Sequence, residues 1–256
     1  MLNKVPEITI WFWVIKVLCT TVGETAADYL NETVGLGLDD TIYVTGALLI
    51  VALAVQFRLR RYEPSVYWVA VVLLSVVGTL ITDKLTDDVG VALRTTTIVF
   101  AVALVAVFAA WFAVERTLSI HSIVTARREA FYWLAILVTF ALGTAAGDYA
   151  SEALSLGYGT ALVLFAGAIA LVAAVYYGLR IDAVVAFWVA YVLTRPLGAS
   201  IGDYLSQSTA DGGLGLGTTV TSLVFLVAIL GTVAFLTITR RDATPALETE
   251  IPWGRP

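Results

Sequence analysis

Soft metal ligands are nearly missing from this sequence: its 256 residues hold one cysteine (Cys19), one histidine (His121) and one methionine (Met1). A lone cysteine excludes an intrachain disulfide and argues against a thiolate cluster. Zinc or copper held through sulfur and imidazole is disfavoured for the same reason. Charge is scarce too, at 14% of residues, where a soluble domain usually carries about 25%. Neither a phosphate-cradling glycine-lysine loop, a zinc-protease histidine pair nor a nucleophile elbow is found, so no enzyme is expected. No haem-ligating histidine falls within an apolar run.

What is abundant is hydrocarbon, with 59% hydrophobic residues and a mean hydropathy of +0.89. A water-soluble core of this size has no room for so much apolar surface. The apolar residues come in blocks long enough to cross about 30 Å of bilayer, and the blocks predict helices at 8–30, 40–58, 65–84, 93–115, 129–151, 158–179, 183–205 and 217–239. Runs such as Thr97 to Leu104 do not alternate as barrel strands would. Lys16, Glu24 and Asp28 sit inside the first block, unlike the uncharged core of a signal peptide. With the N-terminus inside, the cytoplasmic segments hold eleven Lys and Arg and the rest of the chain four. That bias requires an even number of spans and both termini in the cytoplasm. The reading is an all-α membrane protein of the prokaryotic plasma membrane, multi-pass, one transmembrane domain over 1–256 with a cytoplasmic tail at 241–256. Acidic loops (Asp39, Asp40, Asp87, Asp88) argue against nucleic acid as a partner, leaving the lipid bilayer and a small cation or proton.

Self-similarity is the most informative feature. Ten residues after each of Trp13, Trp68, Trp133 and Trp188 comes a glycine: Gly23, Gly78, Gly143 and Gly198. Five residues later comes an aspartate: Asp28, Asp83, Asp148 and Asp203. The tryptophans are 55, 65 and 55 residues apart. Four two-helix repeats follow, at 5–63, 64–118, 128–182 and 183–240, with all four aspartate-bearing helices crossing in one direction. These are parallel repeats about an axis along the membrane normal, giving a pseudo-fourfold bundle or a pair of halves. The tryptophans read as interface anchors, and the glycines as points of close helix approach.

The unit of a Trp, then Gly, then Asp (opening as Phe-Trp at Phe12-Trp13 and Phe187-Trp188), repeated four times over two spans each, resembles a family of bacterial membrane proteins built from a repeat of unknown function. Lys4-Val5-Pro6-Glu7, Gly23-Glu24-Thr25 and Thr194-Arg195-Pro196-Leu197-Gly198 carry the same resemblance. It covers Lys4 to about Arg240 and implies fold and topology, not an activity.

An aspartate inside a span costs up to about 2.5–3.5 kcal/mol at a helix centre, so four in equivalent places imply a shared reason. One reading is structural. Each aspartate would accept hydrogen bonds from the next helix's N-terminus or from a hydroxyl cluster there: Thr41 and Thr45; Thr95, Thr96 and Thr97; Thr160; Thr218, Thr219, Thr221 and Ser222. The other is functional: Glu24, Asp28, Asp83, Asp148 and Asp203 converge on a cavity that binds a cation or relays protons. Four residues before the aspartates the repeats differ, reading Glu24, Thr79, Thr144 and Ala199, as a site built from unequal contributions would. Lys16 and Arg195 are charge-compensating candidates, and Pro196 a kink that frees carbonyls of Tyr191 or Val192. Glu24 with Asp28 is a weak carboxylate pair for intramembrane catalysis. The ligand set suits a hard cation (Mg²⁺, Ca²⁺, Mn²⁺, Na⁺) or H⁺. No organic cofactor is expected, and the sequence leaves the metal and the oligomeric state open. These features point to a secondary transporter, an exporter or antiporter; a scaffold or sensor with structural aspartates is the alternative.

Overall fold

The computed structural model describes residues 3–242; of the expected tail, 243–256 lie outside the described residues. It has eight long helices: α1 (Ile10–Asp28), α2 (Gly37–Arg58), α3 (Pro64–Asp83), α4 (Leu93–Glu115), α5 (Ala126–Asp148), α6 (Tyr158–Leu179), α7 (Ala183–Ser206) and α8 (Gly217–Thr239). The expected boundaries differ from these by at most three residues. All eight are long and apolar enough to span a membrane, and the chain reads as a multi-pass membrane protein.

Local chemistry sets the ends. Pro64 opens α3, where its missing N–H costs nothing. The Thr125 hydroxyl and the Asp182 carboxylate accept from the first free N–H groups of α5 and α7. Immediately after the aspartates Asp28, Asp83 and Asp148, three helices widen into a five-residue π turn: Tyr29–Thr33, Lys84–Asp88 and Tyr149–Ala153. In the fourth repeat α7 simply ends at Ser206.

The odd-numbered helices form a closed ring, α1 on α3, α3 on α5, α5 on α7 and α7 on α1. Outside it α2 packs on α3, α4 on α5, α6 on α7 and α8 on α1. Each outer helix thus covers the inner helix of the following repeat, and the last covers the first. Burial separates the two layers. Between 56 and 67% of the apolar stretch is buried in inner helices, against 6 to 28% in outer ones. The repeated glycines hold the ring tight. A Cβ on Gly23 would fall on Ser75, on Gly78 against Phe140, on Gly143 on Arg195, and on Gly198 on Thr20. In each case the neighbour is the residue eight before the next repeat's aspartate.

The tryptophans correct an expectation. Trp68, Trp133 and Trp188 are buried, and Trp13 is half-buried. They pack with Phe12, Tyr67, Tyr132 and Phe187, four buried aromatics each sixteen residues before an aspartate. Buried aromatic area stabilises helix contacts here instead of anchoring the protein to lipid headgroups.

The end of the ring that carries Asn3 and Asp242 is closed by the chain itself. Lys4, Val5 and Pro6 are buried, and the segment is tied by backbone bonds from Lys4 N to Ile123 O, Tyr62 N to Asn3 O and Glu7 N to Asp242 O (3.1, 3.2 and 2.9 Å). Lys4 Nζ donates to Glu129 Oε2 at 2.7 Å and to the Phe57 carbonyl at 3.1 Å, and Gln56 donates to the other Glu129 oxygen. Tyr62 donates its hydroxyl proton to Asp242, whose carboxyl is pushed above the usual carboxylate range by burial. A carboxyl raised in the folded state contributes stability that is complete below its unfolded value and is lost as pH rises through the folded one. The strap is therefore expected to loosen as pH rises above about 4. Amide exchange at Glu7, corrected for its intrinsic pH dependence, checks this, and Asp242→Asn should remove most of the pH effect. A variant that keeps the full pH effect would show that Asp242 is not its source.

Candidate functional site

Residues spaced by four along each inner helix share a face, and in this ring that face points inward. Starting at the aspartate end and moving toward the termini, the first layer holds Asp28, Asp83, Asp148 and Asp203. The second holds Glu24, Thr79, Thr144 and Ala199, the third Thr20, Ser75, Phe140 and Arg195, the fourth Lys16, Val71, Ile136 and Tyr191.

Arg195 organises the second layer. It is fully buried, and where Ala199 leaves space its guanidinium reaches up one turn into the centre. Nη2 donates to Glu24 Oε2 at 2.8 Å, to the Thr144 hydroxyl at 2.6 Å and to the Thr79 hydroxyl; Nη1 donates to the Thr20 carbonyl at 2.8 Å. One cation thus binds all three other repeats. Thr79 in turn donates to Glu24 at 3.2 Å. The sequence pattern marked Arg195 as charge-compensating, but the hydroxyls of Thr79 and Thr144 gain their role only from ring closure.

Glu24 also belongs to a carboxylate cluster. Single oxygens of Glu24, Asp148 and Asp203 all lie within 4.8 Å of one another, brought together from the first, third and fourth repeats. Glu24 is 5% and Asp203 7% exposed, and Asp28, Asp83 and Asp148 are half-buried. The hydroxyl clusters do not serve the aspartates. Thr41, Thr45, Thr96 and Thr221 donate to carbonyls of their own helices, Thr97 also to Ala145, and Ser222 to Thr25. Among the described residues, no hydrogen bond or ion pair reaches the side-chain carboxylates of Asp28, Asp83, Asp148 or Asp203. Around the mouth Asp39, Asp87 and Asp88 are exposed, with Lys84 bridging Asp39 and Asp88.

Lys16 departs from its assigned pairing. It is fully buried, its ammonium has no hydrogen-bond partner among the described residues, and it faces Phe140 and Tyr191 at 4.3 and 4.1 Å from the ring centroids. Aromatic faces, not a carboxylate, neighbour this cation. Pro196 lies within an unbroken α7. The nearby Tyr191 carbonyl accepts from the Thr194 hydroxyl at 2.7 Å, and the Thr194 carbonyl from Thr20 at 3.2 Å. Lys4, Gln56 and Glu129, which close the opposite end, were not among the expected site residues; an acid at the start of a span and a lysine just before the first one were the available signals.

Four segments, 11–62, 66–117, 131–182 and 186–242, match a family described as a repeat of unknown function (DUF347). The chain belongs to this family. Each matched DUF347 segment begins two residues before a repeat tryptophan, so the family's unit coincides with the register that builds the ring. Among curated proteins and solved structures, nothing matches this DUF347 chain.

Proposed function

We propose that the chain is a secondary transporter, an exporter or antiporter, moving a small hard cation in exchange with protons. Glu24, Asp148 and Asp203 form its binding site, Asp28 and Asp83 its mouth, and Arg195 is the resident countercharge. The observation that carries this reading is the meeting of three carboxylates from three repeats without a matching set of donors. At 4.8 Å, two unit negative charges repel by roughly 3 kcal/mol at an effective dielectric near 20. Arg195 supplies one positive charge, and a cation or protons supply the rest. Glu24 then links the two: its Oε2 holds Arg195, and the group also faces the aspartates. A bound cation draws Glu24 outward and weakens its hold on Arg195, which stands between the site and the deeper axis. The buried aromatic layer and the Lys4–Glu129 strap keep the far end shut, as alternating access requires. Electrostatics and displacement of charge do this work, and no covalent chemistry is assigned.

The test is thermal unfolding of purified protein across Na⁺, Mg²⁺, Ca²⁺, Mn²⁺ and Zn²⁺, beside Asp148→Asn. An ion at about a hundred times its Kd adds about 2.7 kcal/mol, or roughly 5–10 °C for a chain of this size. Stabilisation by one hard cation, absent in the variant, supports the site, and flux of that ion into proteoliposomes supports transport. An unresponsive wild type would return the molecule to the scaffold reading, which the Arg195–Glu24–Thr79–Thr144 network otherwise favours.

A further inference from the structure

Repetition makes one departure visible. On α4, Phe108 and Trp111 cover the repeat tryptophan Trp188, with ring centroids 4.9 and 5.7 Å apart. A shift of 65 residues, the spacing of Trp68 and Trp133, carries this pair to Ala173 and Tyr176 on α6. The tryptophan beneath them becomes Trp13. Ala173 lacks the ring that Phe108 supplies. Tyr176 is 36% exposed and packs edge-on against Tyr177, whereas Gln56, Trp111 and Leu236 at the same place in the other repeats are fully buried. What remains is a cavity of about 570 Å³ between α1, α6 and α7, walled by Trp13, Val17 and Phe187 and running along α7 from Ala183 to Leu197.

We propose that this groove binds one acyl chain of a bilayer phospholipid as a fixed part of the fold, replacing the side chains that α4 provides. Its lining is apolar apart from His121, Thr194 and the tyrosines. Exposed residues flanking it on the same helices, Leu171, Val185 and Val189, are apolar too, so it opens at hydrocarbon depth. From Ala183 to Leu197 α7 rises about 21 Å, enough for the roughly 15 Å of one leaflet's hydrocarbon. An empty apolar groove there forfeits contacts on one side of every lining atom, and a lipid tail restores them. The His121 end, beside Glu7, is where the headgroup would sit.

Native mass spectrometry and lipid extraction of protein purified in mild detergent test this. Wild type should retain phospholipid, lose thermal stability on exhaustive delipidation and regain it with added phospholipid. Ala173→Phe, which installs the ring that the second repeat already has, should retain at least about tenfold less and should not respond to lipid. Ala190→Phe fills the same groove from α7 and serves if the first variant does not fold. A wild type that keeps no lipid and shows no lipid response overturns the proposal, as does a filled variant that keeps it. A filled variant that instead converts a dimer to a monomer would assign the groove to a second copy. Ion responses play no part in these outcomes.

Discussion

Arg195→Met is expected to destabilise the protein by about 3–5 kcal/mol, and Arg195→Met with Glu24→Gln to recover most of that loss. The single change leaves Glu24 buried without its cation and strips partners from the hydroxyls of Thr79 and Thr144 and the carbonyl of Thr20. Breaking a buried pair from one side costs far more than removing both charges, because the survivor is left unsolvated. At this protein's length the single variant should melt roughly 10 °C or more below wild type, and the double variant within a few degrees. Unfolding midpoints in one detergent for the two single variants and the double variant close the cycle. If the two losses simply add, the charges do not depend on each other and the central network is not what joins the repeats.

A side chain at Gly143 should be nearly as damaging. Gly143→Ala places a Cβ on the Arg195 stem, with Pro196 Cδ 3.0 Å away, and neither an arginine held by four acceptors nor a proline ring has freedom to yield. Overpacking of this kind costs about 1–3 kcal/mol, and Gly143→Val more. Gly167 on outer helix α6 meets nothing within 4 Å. Gly167→Ala should therefore stabilise the helix, by up to about 1 kcal/mol. Opposite signs for one substitution type, read as unfolding midpoints, distinguish ring contacts from helix propensity. A Gly143→Ala protein as stable as wild type would mean that α5 and α7 do not meet here.

The spans and repeat register were legible in the sequence because hydrophobic blocks and recurring Trp, Gly and Asp depend on spacing alone. The close approach at Gly23, Gly78, Gly143 and Gly198 was legible for the same reason. Facing directions were harder. Tryptophans near a span's end look the same whether they turn to headgroups or to each other, and the choice here follows from which outer helix covers which inner one. The hydroxyls at the starts of α2, α4 and α8 suggested partners for the aspartates. Each of those helices instead packs on the next repeat's inner helix, and Thr41, Thr45, Thr96, Thr97 and Thr221 bond backbone carbonyls. Arg195 could be named as a countercharge, yet its reach to Thr79 and Thr144 depends on Ala199 leaving a gap. Lys16 looked like a second countercharge because composition does not show that Phe140 and Tyr191 flank it.

The offset covering of inner helices bears on how such a chain is made. A single repeat leaving the ribosome has an outer helix with nothing to cover and an inner helix with no cover. It is sticky at both ends, in the head-to-tail sense that closes rings. Each new repeat satisfies the one before it, while α1 waits for α8, the last of these eight helices to be synthesised, before its exposed flank is sealed. The same complementarity means that four separate copies of one such repeat, or two half-length chains, would close this ring through the contacts already present. Holding the four repeats in one chain lets them differ, so that a single arginine, in one copy of four, occupies the centre.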